Sequence, residues 1–173
     1  MQEPDFLQKS RPSADGQVKP ARILVVEDDA DIQHVLCMYL KYSGFDVQSA
    51  SDGLEAIAVI PEFCPQLIVL DLMMRPVDGW EVLHWLRARR QGVPPPVLVL
   101  TALAQLDEQV HGFEEGAIEY LTKPTQPGVI VEHIRQILAL SSEQRVTFQR
   151  ERQEQQRKTL DLISAPQPDE FMY

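Results

Sequence analysis

The chain has 173 residues, of which 44% are hydrophobic, and a formal net charge of −10 at pH 7. This length and apolar content suit one domain with its own core plus some additional chain. The acidic balance argues against nucleic acid as the main partner, and no apolar run approaches the roughly eighteen residues of a membrane span. The N-terminal segment lacks the apolar region of a secretory signal, so we expect a cytoplasmic protein.

Short apolar runs alternate with amphipathic segments along the chain. Residues 1–20 are rich in Pro, Ser, Gln and charge and are expected to form a flexible tail. The predicted strands cover residues 23–26, 45–50, 67–70, 97–100 and 118–121. The predicted helices cover residues 32–40, 54–60, 80–89, 106–115 and 127–140. Local signals mark the ends of these helices: Asp52 and Asp78 as N-caps, Gly44 and Gly116 as stops, and Pro127 at a first turn.

Five strand–helix units in strict alternation predict an α/β fold over residues 21–140, with a doubly wound five-stranded parallel sheet and helices on both faces. Residues 141–173 change character and predict a polar helical extension that ends in a disordered tail. The apolar residues of this extension sustain no heptad, so the helix either frays in solvent or docks on a partner or a second copy. Cys37 and Cys64 are expected to be reduced, buried thiols.

Carboxylates and other polar groups follow the predicted strands at their carboxyl ends. They are Glu27, Asp28 and Asp29 after the first strand, Asp71 after the third, Thr101 after the fourth, and Thr122 and Lys123 after the fifth. Because parallel strands end at one edge of the sheet, these side chains are expected to converge there. Crowded carboxylates repel one another unless a cation intervenes, and carboxylate oxygens suit Mg²⁺.

Asp71 ends the unbroken apolar run 67–70, where a charge must be paired, metal-bound or exposed. A metal ion and Lys123 beside this carboxylate provide what phosphoryl transfer requires, and an aspartate can serve as the nucleophile. We therefore predict that Asp71 accepts a phosphoryl group. Strand-end capping explains any one of these residues, but not their joint placement.

The sequence resembles the receiver domain of two-component response regulators over residues 21–140, with a flavodoxin-like fold. The motifs that carry the resemblance are "ILVVEDD", "LIVLDLMM", "DG" at residues 78–79, "VLTA" and "YLTKP". The resemblance implies a Mg²⁺ site formed by Glu27, Asp28, Asp71 and the Met73 backbone carbonyl. It also implies that Asp71 is the phosphoacceptor and that Thr101 and Lys123 are the other catalytic residues. Thr101 would be the switch hydroxyl and Tyr120 the switch aromatic. The resemblance further implies a cis Lys123–Pro124 bond.

The chain departs from the family pattern at two places: Arg75 replaces the usual proline, which comes one residue later as Pro76, and Thr125 replaces a bulky apolar residue. After residue 140 too little chain follows for a DNA-binding output domain. We therefore expect a stand-alone receiver with an unknown output protein and no direct DNA binding.

The resemblance implies a signalling switch rather than a conventional enzyme, one that catalyses only its own phosphorylation and dephosphorylation. A sensor histidine kinase or phosphotransfer protein would supply the phosphoryl group. Thr101 would then move toward it, Tyr120 would rotate inward, and the face of the fourth helix, fifth strand and fifth helix would contact the output partner. A second copy of the chain is another candidate partner.

Three other functions are less well supported. A pseudo-receiver that only binds partners usually lacks a site residue, whereas all are present here. A phosphatase of the haloacid dehalogenase type needs an aspartate where Met73 stands. DNA binding through the extension is disfavoured because its charges are mixed. The resemblance also implies that the residues two positions after the acceptor and two after the switch hydroxyl, here Met73 and Leu103, flank the path of water to the phosphorylated Asp71. Both are apolar and cannot orient a water molecule by hydrogen bonding, so we predict slow self-dephosphorylation.

Overall fold

The structure is a computed structural model that describes residues 19–89, 93–102 and 106–164. Most of the predicted N-terminal tail, the predicted disordered C-terminal tail (residues 165–173) and Leu103 lie outside the described residues.

Five parallel strands form one sheet in the order β2-β1-β3-β4-β5. The strands are β1 (Arg22–Val26), β2 (Asp46–Ala50), β3 (Leu67–Leu70), β4 (Val97–Thr101) and β5 (Ala117–Thr122). The helices are α1 (Ala30–Tyr42), α2 (Gly53–Phe63), α3 (Gly79–Ala88), α4 (Leu106–Glu114), α5 (Pro127–Ala139) and α6 (Ser142–Ser164). The predicted doubly wound sheet is confirmed, and its strand order reverses between β1 and β3.

The three central strands are apolar because both of their faces are covered. Side chains of α1 and α5 pack on one face of the sheet, and side chains of α2, α3 and α4 pack on the other. All residues of β3 and β4 are buried, as expected for strands inside a parallel sheet. This two-sided core holds the carboxyl ends of β1, β3 and β4 in register.

Aspartates begin the first three helices. The predicted caps are present, since Asp52 accepts from the Glu55 amide and Asp78 from the Glu81 amide. Asp29, the third acid after β1, accepts from the amides of Asp31 and Ile32. Capping uses the carboxylate of Asp29, so Glu27 and Asp28 are the acids of this run that remain for the sheet edge.

Helix α2 ends later than the sequence predicted, because it continues through Pro61 to Phe63. Pro61 stands in the last turn, where the missing N–H removes only one helical hydrogen bond. The C-cap residue after Phe63 is Cys64, which has a left-handed φ of 51° and is exposed. The expectation of a buried thiol is therefore wrong for Cys64, while Cys37 is half-buried.

The extension after residue 140 forms α6, one continuous helix of 23 residues. It packs against α4 and β5 of its own chain, an arrangement that the sequence analysis did not consider. Among the described residues, no helix is long and apolar enough to cross a membrane.

Candidate functional site

Three carboxylates converge at the carboxyl edge of the sheet. The Glu27 amide donates to the Ala50 carbonyl and the Asp71 amide donates to the Val26 carbonyl, which extends the strand ladder as far as these acids. One carboxylate oxygen from each of Glu27, Asp28 and Asp71 lies within 4.8 Å of the others. Glu27 and Asp71 are buried, whereas Asp28 is exposed.

Lys123, just after β5, reaches two of these acids. Its Nζ lies 2.6 Å from Glu27 Oε2 and 2.7 Å from Asp71 Oδ2. Burial alone would lower the pKa of Lys123, but its hydrogen bonds and charge interactions with Asp71 and Glu27 outweigh burial and raise this pKa. The side chain is therefore a fixed ammonium group. We call Glu27, Asp28, Asp71 and Lys123 the acidic edge.

The acidic edge carries excess negative charge. Three ionised carboxylates and one ammonium sum to a formal charge of −2. Burial raises the pKa of Glu27, and the nearby charge of Asp71 adds to the effect, while Lys123 opposes it. A divalent cation would neutralise the excess, and the all-oxygen donor set fits Mg²⁺.

Both carboxylate oxygens of Asp71 are held in place. Oδ1 accepts from the Met73 amide at 2.9 Å, and Oδ2 accepts from Lys123. A Cβ on Gly79 would overlap the backbone of Asp71 and Leu72, so glycine in the "DG" pair lets α3 begin close to the end of β3. The Lys123–Pro124 bond is cis, as the resemblance implied, and the Arg75–Pro76 bond is cis as well. The metal-binding role of the Met73 carbonyl stays a prediction.

Thr101 and Tyr120, the predicted switch pair, lie on adjacent strands. Thr101 is fully buried, and its carbonyl accepts from the Lys123 amide at 2.8 Å. The ring of Tyr120 lies 6.3 Å from that of Phe113, and a Cβ on Gly112 would stand 2.9 Å from Tyr120 Cε2. Tyr120 is thus already packed against α4, whereas the sequence analysis expected inward rotation to follow phosphorylation.

Sequence reasoning missed two polar contributions to this region. Gln33 on α1 donates to the carbonyls of Glu27 at 2.9 Å and Ala50 at 3.0 Å, and so joins the ends of β1 and β2. Nothing in the helical pattern of α1 distinguishes Gln33. Glu119 is buried on β5, next to Tyr120, and is paired by Arg152 of α6. A charged residue inside the apolar run "AIEYL" was the available signal.

The model of the response regulator receiver domain family matches residues 23–135, and the chain belongs to this family. It is 40% identical over 117 residues to the DNA-binding dual master transcriptional regulator RpaA of Synechocystis, covering 68% of this chain and 48% of RpaA. It is 40% identical over 129 residues to the transcriptional regulatory protein TrcR of Mycobacterium tuberculosis, covering 75% of this chain and 49% of TrcR. A solved response regulator from Chloroflexus aurantiacus aligns with a TM-score of 0.66 and 32% identity, over 70% of this chain and 100% of that one.

The chain spans about half the length of the curated relatives it matches. Receiver domains are phosphoacceptor modules of two-component signalling, so this class is shown for the chain. The expectations of a stand-alone receiver and of no DNA binding are not confirmed, because both relatives are named as transcriptional regulators.

Proposed function

We propose that this chain is a phosphoacceptor switch in which Asp71 receives the phosphoryl group from a phosphohistidine of a kinase or phosphotransfer protein. The convergence of three carboxylates and Lys123 at the acidic edge carries the proposal. Such an arrangement supplies a nucleophile together with charges that balance the transferred group.

The reaction uses groups that the structure holds in place. A carboxylate oxygen of Asp71 attacks phosphorus in line, the P–N bond breaks, and its electron pair stays on the imidazole nitrogen, which takes a proton from solvent. Lys123 Nζ, 2.7 Å from Asp71 Oδ2, is in position to pair with a phosphoryl oxygen. Glu27, Asp28 and Asp71 would hold Mg²⁺, which when bound neutralises charge on the phosphoryl oxygens.

An apolar groove beside Lys123 supports docking of the phosphoryl donor. The groove lies between α1 and α5 and has a volume of about 420 Å³. Its apolar lining includes Ile32, Val35, Leu36, Leu100, Pro124 and Ile130. Ile32 and Val35 are 40% and 49% exposed although both are aliphatic, so the groove offers an apolar surface to the donor protein. A donor seated there brings its phosphohistidine to the edge that contains Asp71.

Intact-mass measurement after incubation with acetyl phosphate and Mg²⁺ tests the proposal. The wild type is expected to gain one phosphoryl mass, and the nearly isosteric variant Asp71→Asn is expected to gain none. Asp46→Asn, which changes an exposed aspartate on β2, is the matched control and should react like the wild type. Removal of Mg²⁺ by a chelator should stop the reaction.

Two outcomes would contradict the proposal. Phosphoryl uptake by Asp71→Asn would show that another residue is the acceptor. A folded wild type that takes up no phosphoryl group, from acetyl phosphate or from a phosphohistidine donor, would favour a receiver fold that works as a binding module.

A further inference from the structure

Helix α6 lies across α4, β5 and the end of α5. The Gln149 side chain donates to the Phe113 carbonyl of α4 at 3.2 Å, and Arg157 pairs with Glu114 of the same helix. At the start of α6, the Arg145 guanidinium donates to the Ile137 carbonyl of α5 at 3.2 Å. These contacts spread over three turns or more of α6, so the helix is fixed along its length rather than at one point.

The central contact of α6 is with a buried charge on β5. Glu119 is 5% exposed, and its Oε2 lies 2.8 Å from Arg152 Nη2. His133 of α5 lies 3.6 Å from the same oxygen and is charged only when protonated. Among the described residues, Arg152 is therefore the permanently charged partner of this carboxylate in the structure. We call Glu119, Arg152 and His133 the β5 clasp.

Apolar packing accompanies the ion pair. Phe148, one turn before Arg152, packs against the core cluster on the α1 and α5 side of the sheet. The Arg152 guanidinium lies 5.2 Å from the centre of the Phe148 ring. One turn of α6 thus inserts an aromatic anchor and brings a cation to Glu119.

We propose that α6 is the intramolecular occupant of the α4–β5–α5 face, held by the β5 clasp, and that any partner using this face must displace it. Most of α6 is polar, and a helix without a buried face is marginal in water, so its stability depends on this docking. The face selects a helix that offers an aromatic residue and, four positions later, a cation. A displacing partner must supply equivalent chemistry to Glu119.

Docking also involves residues around Tyr120. Phe113, whose carbonyl accepts from Gln149, packs its ring against Tyr120, and Glu119 accepts a hydrogen bond from the Tyr120 amide at 3.1 Å. Displacement of α6 therefore removes one contact from Phe113 of α4 and one from Glu119 of β5, the two residues that adjoin Tyr120. These docking contacts are made by the unphosphorylated chain, and only their consequence for signalling rests on the proposed function.

Amide exchange in the full chain, measured without phosphodonor at two protein concentrations, tests the docking. In the wild type, residues 148–158 are expected to be protected equally at both concentrations. Arg152→Ala is expected to speed their exchange about tenfold or more, and Arg152→Lys less, because lysine keeps the charge. Lys158→Ala is the matched control, since Lys158 is exposed and, within the part of the chain that the structure describes, forms its ion pair with Glu154 of the same helix. Unchanged protection of β1 and β3 shows that each variant is folded.

Three results would overturn the proposal. Unprotected α6 in the wild type would show that the face is not occupied, and protection that falls on dilution would assign the occupant to a second copy. Equal protection in the wild type and Arg152→Ala would remove the β5 clasp as the anchor.

A competition assay gives an independent readout. A fluorescent peptide of residues 142–164 is expected to bind Arg152→Ala full chain but not the wild type, where the intramolecular helix excludes it. The same peptide carrying Arg152→Ala should bind neither. Equal binding of the unmodified peptide to both full-length proteins, or to neither, would contradict the proposal. All of these measurements are made without phosphorylation, so a failure of the proposed function would leave their outcome readable.

Discussion

The acidic edge and the β5 clasp both contain buried carboxylates, but their charge balance differs. At the acidic edge, three carboxylates lie together with one ammonium, which contacts two of them. At the β5 clasp, one carboxylate has its own guanidinium at 2.8 Å. Both sites lie on the same sheet. Lys123, just after β5, supplies the cation of the acidic edge, and Arg152 of α6 supplies the cation of the β5 clasp. The two sites therefore differ in the ratio of carboxylates to cations rather than in burial.

This difference indicates what each site is built to do. Excess negative charge is costly for the fold unless a cation binds, so its presence at the acidic edge points to a ligand. A balanced pair has little to gain from a metal ion, and breaking it leaves a buried charge alone, so the β5 clasp is suited to holding α6.

The largest effect is expected from Lys123→Met, which increases the charge imbalance of the acidic edge. Phosphorylation by acetyl phosphate should slow by about 100-fold or more, because the positive charge that pairs with the phosphoryl oxygens is lost. Mg²⁺ should bind several-fold more tightly, since the ammonium that competes for Glu27 and Asp71 is gone. Intact-mass kinetics and calorimetry measure the two effects, with Lys158→Met as the control. Weaker Mg²⁺ binding in Lys123→Met would contradict the electrostatic account.

Neutralising one carboxylate at each site should change stability in opposite directions in Mg²⁺-free buffer near neutral pH. The pKa of Glu27 is raised in the folded protein, so its contribution to the free energy of unfolding falls as pH rises past the ordinary pKa. Glu27→Gln avoids this cost and should raise the melting temperature by a few degrees at most.

Glu119→Gln should instead lower stability by about 1–2 kcal/mol, because it removes the partner of Arg152, which is itself only partly buried. Thermal melts measure both changes, with exposed Glu62→Gln as the control. Saturating Mg²⁺ should stabilise the wild type more than Glu27→Gln. If both variants shift in the same direction, charge balance does not distinguish the two sites.

The smallest effect is expected at Met73, which stands at the rim of the acidic edge. Its side chain is 57% exposed, and its backbone amide donates to Asp71 Oδ1. The apolar Met73 side chain cannot orient a water molecule by hydrogen bonding. Met73→Asn should speed loss of the phosphoryl group several-fold, because orientation of the attacking water lowers the barrier. The decay of phosphorylated protein by intact mass tests this, with Met38→Asn on the exposed surface of α1 as the control. An unchanged decay rate would show that Met73 does not guard the site.

The sequence by itself determined the sheet and the composition of the acidic edge. Apolar runs such as 67–70 identify buried strands through local hydrophobicity, and caps such as Asp52 and Asp78 depend only on residues within the next turn. Alternation of strands and helices requires parallel strands, so acids that follow different strands must meet at one edge. The convergence of Glu27, Asp28 and Asp71 follows from this topology.

Only the tertiary structure decided how the remaining polar groups are used. Asp29 looks like its neighbours in the sequence, but the backbone direction at the start of α1 makes it a cap. The inward position of Tyr120 depends on how closely α4 approaches at Gly112. Arg152 pairs with Glu119 because α6 folds back across β5. A pairing between segments that are distant in sequence depends on the path of the whole chain, and no local sequence pattern specifies that path.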